Sequence, residues 1–155
     1  MMDTIHDFEE LLIIFNEYNV RYLIVGGIAF IYYAKPRYTK DLDLWIEPAI
    51  ENIKNANAAL LEFGSNQLLD ASDLDKVTSI GVEPHRIDFI MEFTDKKFPA
   101  EWEKREVHKY GNIEANWINI ETLYDIKKSI DVPKHQSDAL DLKHVIDMRK
   151  NKDKN

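Results

Sequence analysis

The chain has 155 residues, 45% apolar and 31% charged, with a formal net charge of −8. That length and apolar share support one domain with its own core and exclude a disordered or low-complexity chain. The acidity argues against a broad nucleic-acid-coating surface, which needs excess Lys and Arg to displace counterions, but leaves room for a local phosphate site.

Cysteine is absent, which excludes disulfides, zinc ribbons and thiol catalysis, and a cytoplasmic setting is expected. Met1-Met2-Asp3-Thr4 has neither a basic nor an apolar leader character, so no signal peptide is expected. The longest uncharged run, Tyr22 to Ala34, holds 13 residues. A membrane span needs about 20, so no membrane association is expected.

In chain order, Thr4 with Asp7 resembles a capping box, and Ile5, Phe8, Leu11, Leu12 and Phe15 fall at helical spacing, which predicts a helix over 4–18. Tyr22 to Val25 is a short strand by its aromatic and β-branched content, broken by Gly26-Gly27. A helix follows over 28–34 and stops near Pro36. Asp41 to Ile46 alternates acidic and apolar residues and predicts a strand. Pro48 then opens a helix that runs to Phe63 and ends at Gly64. Residues 65–76 are a polar loop with a short helical turn. Strands are expected at 77–82 and 86–91, and a further pair at 105–110 and 113–118 flanks the hairpin signal Gly111-Asn112. Two helices, 120–131 and 136–150, close a single domain over 1–150, and 151–155 is expected to be a disordered charged tail. The pattern is α/β (α+β): strands 22–25, 41–46, 77–82 and 86–91 form a central sheet with helices on one side.

Chemistry concentrates between Gly26 and Asp88. Asp41 and Asp43 lie two apart on a strand, so both carboxylates share one face while Leu42, Leu44 and Ile46 point to the core. Adjacent carboxylates repel, and solvent, a shared proton or a divalent cation must offset that. Hard oxygen ligands suit magnesium or manganese. Asp88, in Arg86-Ile87-Asp88-Phe89-Ile90, can complete a three-carboxylate cluster if its strand lies beside 41–46. Such a cluster can hold two metal ions and bind triphosphate oxygens. Gly26-Gly27 lets backbone approach a phosphate at a helix N-terminus. The chain has neither a P-loop nor a dinucleotide fingerprint to explain that glycine pair otherwise.

The run Val25-Gly26-Gly27, then Asp41-Leu42-Asp43-Leu44, then Ile87-Asp88-Phe89, resembles the signature of the polymerase-β-type nucleotidyltransferase superfamily. Within it the chain is most similar to a small bacterial group near the abortive-infection and toxin–antitoxin nucleotidyltransferases. Arg37-Tyr38-Thr39 matches their Arg-x-Thr, Gly81 to Asp88 their hairpin, and Lys127 with Asp138 and Asp141 their late Lys and Asp-x-x-Asp helix. The pattern departs at Lys134-His135-Gln136, where an Arg is expected. Lysine keeps the charge but loses the bidentate fork.

The resemblance implies a nucleotidyltransferase fold and transfer of an NMP from an NTP, ATP first, to an acceptor hydroxyl. It implies catalytic, metal-binding Asp41, Asp43 and Asp88 holding two Mg2+ or Mn2+ ions. It implies nucleotide contacts from Gly26, Gly27, Arg37, Thr39 and Lys127, for which the plain alternative is turn residues and solvated charge; Lys40 stands even between the two. The acceptor is open: tRNA or another RNA, a protein or a small molecule, met across a homodimer or with a cognate partner. A catalytically silent relative that binds nucleotide or partner is the alternative, and a two-metal nuclease a third reading.

Five histidines, His6, His85, His108, His135 and His144, form no metal-ligand pair by spacing and are expected in loops or on the surface, with His85 set apart for its nearness to Asp88. Trp45 shares a strand face with Asp43, and either walls the nucleotide pocket or packs in the core. The acidity itself is uneven: residues 121–155 carry net +1, which makes this stretch the expected source of a cation for the triphosphate.

Overall fold

The computed structural model of the chain describes residues 4–39 and 41–153, with side chains from Asp7 onward. Lys40, the side chains of Thr4, Ile5 and His6, and the last two residues of the expected tail lie outside what is described. The elements in order are α1 (Thr4–Glu17), β1 (Tyr22–Val25), α2 (Gly26–Tyr33), β2 (Asp41–Ile46), α3 (Ile50–Phe63), β3 (Thr78–Ile80), β4 (Arg86–Ile90), α4 (Phe98–Glu103), β5 (Glu106–Tyr110), β6 (Ile113–Trp117), α5 (Ile120–Ser129) and α6 (Pro133–Asp153).

The strands form one mixed sheet in the order β3-β4-β2-β1-β6-β5. β2 lies antiparallel to β1 and parallel to β4. The expected central strands are all present, and the β5–β6 hairpin extends the sheet along the other edge of β1.

Helices cover both faces, not one. Tyr22 to Val25 is buried at every position, which a strand with one solvated face cannot be. Phe15 of α1 packs against Tyr22 and Phe89 on one face. Trp45, of opposite parity, meets Phe93 and Phe98 on the other, and its indole N–H donates to the Met91 carbonyl at 3.3 Å. Trp45 is therefore a core residue.

Local chemistry explains the element ends. Gly64 closes α3 in the left-handed region, at φ 96°, and its N–H and that of Ser65 return to the last-turn carbonyls of Leu61 and Leu60. Asn119 caps α5, its side chain accepting from the Glu121 N–H at 2.8 Å. Other ends differ from the sequence expectation. α3 starts at Ile50, so Pro48 precedes the helix. α6 starts at Pro133, where proline suits the first turn, and continues through Asp153, so 151–153 are helix and not loose tail. α4 is a short helix with proline in its first turn, too brief for a periodicity signal. None of the helices among the described residues is long and apolar enough to cross a membrane.

Asn52 of α3 is buried and stitches the sheet to its helix layer. Its Oδ1 accepts from the Arg21 N–H at 2.8 Å, and its Nδ2 donates to the carbonyls of Arg21 and Glu47 at 3.0 and 3.1 Å. Replacing Asn52 by Ala leaves the part-buried Arg21 N–H without this partner. Urea unfolding of Asn52→Ala is expected to show a loss of about 2–3 kcal/mol, against less than 1 kcal/mol for the exposed neighbour Glu51→Ala.

Candidate active site

The site is built by strand register. β2 and β4 run parallel with Asp41 opposite Arg86 and Asp43 opposite Asp88. Opposed residues share a face, so the alternation that sends Leu42, Leu44, Ile87 and Phe89 into the core raises all three aspartates together on the other side. One oxygen from each of Asp41, Asp43 and Asp88 lies within 4.8 Å of the others. The Ser79 hydroxyl, on β3, donates to Asp88 Oδ1 at 2.6 Å and aims that carboxylate. Burial, then the charges of Asp41 and Asp88, push the Asp43 carboxyl up to about 7, while Arg86 acts in the opposite direction.

Gly26 and Gly27 are the first two residues of α2, with no loop between strand and helix. Val25 pairs with Asp43, so the end of β1 delivers the helix N-terminus to the acids. Gly26 has φ +69°, and a Cβ there would collide with the Asp43 carboxylate. A Cβ on Gly27 would stand 2.9 Å from Thr39 Oγ1. Val25 contributes no side-chain cap to the first-turn N–H groups of α2, at the helix end that lies beside Asp43. Thr39 thus touches the glycine turn, and its hydroxyl lies 3.5 Å from the Asp41 carbonyl.

Arg37 and Lys127 come together from distant parts of the chain, around Asp138 of α6. Arg37 Nη1 meets Asp138 Oδ1 at 2.7 Å and Lys127 Nζ meets Asp138 Oδ2 at 3.0 Å. Both cations lie over the Phe30 ring of α2, at 4.2 and 5.9 Å. Burial opposes ionisation of Asp138, but hydrogen bonds from Arg37 and Lys127 outweigh it and hold the carboxyl below its ordinary value. Lys35 is held similarly by Asp141 at 3.0 Å. Lys134 is exposed, while His135 Nδ1 stands 3.3 Å from Lys127 Nζ, so the histidine takes the inward position in the segment that departs from the expected Arg. Burial, then Lys127, keep the His135 imidazole below its usual pKa.

The site residues named from sequence therefore form two groups: the acids with the glycine turn and Thr39, and the Arg37–Asp138–Lys127 cluster. Arg86 and Ser79 complete the acid group and had no role assigned from sequence. The signal for Arg86 was present, since it stands two before Asp88 and so on the same strand face. Ser79 becomes visible only through the β3–β4 pairing. His85 points elsewhere, its Nδ1 3.5 Å from Asp7 Oδ2. A cavity of about 640 Å³, lined by Asp7, Phe63, Ile80, His85 and Ile87, lies on the α1 side of the sheet, opposite the acids.

The sequence matches no protein-family profile and none of the curated proteins. Solved structures show the likeness. The lincosamide antibiotic adenylyltransferase LnuA, lincomycin-bound, superposes with a TM-score of 0.62 at 14% identity, over 90% of this chain and 96% of that one. ANT(2")-Ia in complex with adenylyl-2"-tobramycin gives 0.63 at 16%, over 94% and 91%. An antigenic nucleotidyltransferase-like protein from Paracoccidioides brasiliensis gives 0.54 at 14%, over 92% and 75%. The chain has the nucleotidyltransferase fold, in agreement with the polymerase-β-type resemblance of its motifs.

The raised Asp43 carboxyl makes stability depend on pH. The folded state binds the proton up to about pH 7, whereas an unfolded aspartate releases it near 3.8, so stability is lost as pH rises between these values. In metal chelator, Asp43→Asn is expected to be more stable than the parent at pH 8 by roughly 1–2 kcal/mol, with the gap closing by pH 4. Thermal unfolding at both pH values checks this.

Proposed function

We propose that the chain is a divalent-metal-dependent nucleotidyltransferase that moves an NMP from an NTP, ATP first, to a hydroxyl of an RNA such as tRNA, a protein or a small molecule. The observation that carries this reading is the convergence of Asp41, Asp43 and Asp88 beside the N-terminus of α2. The donors fit hard cations: they are carboxylate oxygens, close enough for one ion to touch all three, and burial with the charges of Asp41 and Asp88 disfavours the charged form of Asp43. Magnesium or manganese there would neutralise the triphosphate and make the acceptor hydroxyl more acidic.

The protein's own groups divide the remaining work. Asp41 and Asp43 hold the divalent ions, and Asp88, steadied by Ser79, completes the set on the acceptor side and takes the hydroxyl proton. Backbone N–H groups at Gly26 and Gly27 bind the β- and γ-phosphate oxygens, which only residues without a Cβ permit at this distance from Asp43 and Thr39. Arg37 and Lys127, prepositioned by Asp138, offset the remaining phosphate charge. The acceptor oxygen attacks the α-phosphorus in line. A new O–P bond forms, the bond to the β-phosphate bridging oxygen breaks, and pyrophosphate leaves. Catalysis comes from positioning and charge stabilisation. A component of a toxin–antitoxin pair, acting in the cytoplasm, is the narrower form of this reading that the motif resemblance supports.

Incubation with α-labelled NTPs, magnesium and cell extract is expected to label an acceptor. Asp41→Ala and Asp43→Ala should each lower labelling by roughly 10²-fold or more. Equal labelling by the parent and both variants would remove the catalytic assignment. A parent that binds NTP calorimetrically without labelling any acceptor would indicate the silent-relative reading.

Lys127→Ala should act on nucleotide binding. Calorimetry with a non-hydrolysable ATP analogue and magnesium is expected to show about tenfold weaker affinity, with the fold retained by circular dichroism.

A further inference from the structure

Arg86 has a position that the proposed reaction does not use. Its alternation on β4 places it on the acid face, opposite Asp41 in register. Its Nη2 donates to Asp41 Oδ2 at 2.6 Å, and its Nε stands 3.2 Å from Asp88 Oδ1. A guanidinium thus bridges two of the three carboxylates that would hold a divalent ion. A metal ion and this guanidinium need the same oxygens, and two positive groups repel across that distance.

The grip on Asp88 is imperfect. Arg86 Nε is buried without an aligned hydrogen bond, while Asp88 Oδ1 accepts from Ser79. A third acid already holds the outer side: Arg86 Nη1 donates to Glu83 Oε1 at 3.3 Å, in the turn between β3 and β4. The side chain is about one-third exposed, so it has room to rotate outward.

Resting on the metal-site reading above, we propose that Arg86 is an internal counter-ion for the acid cluster, which a divalent cation must displace toward Glu83 before the site is loaded. Without metal, Arg86 offsets the repulsion of Asp41 and Asp88 and keeps the strands paired. On loading, the guanidinium leaves those oxygens and keeps its contact with Glu83, so its charge is never left unpaired at a half-buried position. The metal site is therefore weak by design in the absence of nucleotide, because each ion bound must also break the Arg86–Asp41 contact.

The test is Mn2+ binding to the full chain without nucleotide, read from the electron paramagnetic resonance of free Mn2+, with no turnover involved. Arg86→Gln is expected to bind Mn2+ at least tenfold more tightly than the parent and to melt earlier in chelator. Arg86→Lys, which keeps a competing charge, should stay within about threefold of the parent. Glu83→Gln, which removes the retained acid, should bind several-fold more weakly. If Arg86→Gln binds Mn2+ equally or more weakly while remaining folded by circular dichroism, the arginine is a plain structural partner and the proposal is overturned with the metal site intact. If neither the parent nor Arg86→Gln binds Mn2+, both the metal reading and this proposal fail.

Discussion

Everything at the candidate site depends on the parallel pairing of β2 with β4, which holds Asp43 opposite Asp88. Carboxylates at this separation repel, so the pairing must be driven from elsewhere. The opposite face supplies the drive: Leu42, Leu44, Ile87 and Phe89 are buried to 2% exposure or less, and Phe89 packs against Phe15 of α1. A slip of one residue would send the aspartates into the core and the leucines to solvent. The hydrophobic face thus fixes the register, and the register forces the acids together at a cost in electrostatic energy. The Asp43 carboxyl is raised first by its burial and then by that repulsion from Asp41 and Asp88.

The surroundings of the cluster are arranged to lessen that repulsion. Arg86 sits on Asp41, Ser79 on Asp88, and the positive end of α2 begins at Gly26 beside Asp43. The second group follows the same logic with the signs reversed. Arg37 and Lys127 would repel each other over Phe30 without Asp138, which lies buried between them. One cluster is anionic and meets a cation of the chain; the other is cationic and meets an anion of the chain. The proposed NTP with divalent ions would carry both charges.

The fold was largely legible in the sequence because its strongest patterns are local. The Phe8, Leu11, Leu12 and Phe15 spacing, the acid–apolar alternation of 41–46 and the left-handed stop at Gly64 each report a short-range physical preference. What was missed is non-local or short. Helices on both sheet faces follow from the total burial of Tyr22 to Val25, which gives no alternation to read. Asn52 looks like an ordinary polar helix residue until the backbone of Arg21 and Glu47 arrives beside it. α4 has too few residues for a period, and α6 reaches Asp153 because its charged end is a solvated helix, which composition alone makes look like a tail.

The sequence by itself determined the acids, the glycine pair and the faces they occupy, because side-chain direction in a strand is set by parity within one segment. The net charge of −8 likewise proved to be locally organised, with three of the acids gathered on one sheet face. Only the tertiary structure decided who neighbours whom: Arg86 on Asp41, Ser79 on Asp88, and Arg37 with Lys127 on Asp138, which lies 101 positions from Arg37 in the chain. Such pairings depend on strand order and helix docking. Those are set by burial summed over the whole core, and a motif of a few residues does not contain that sum.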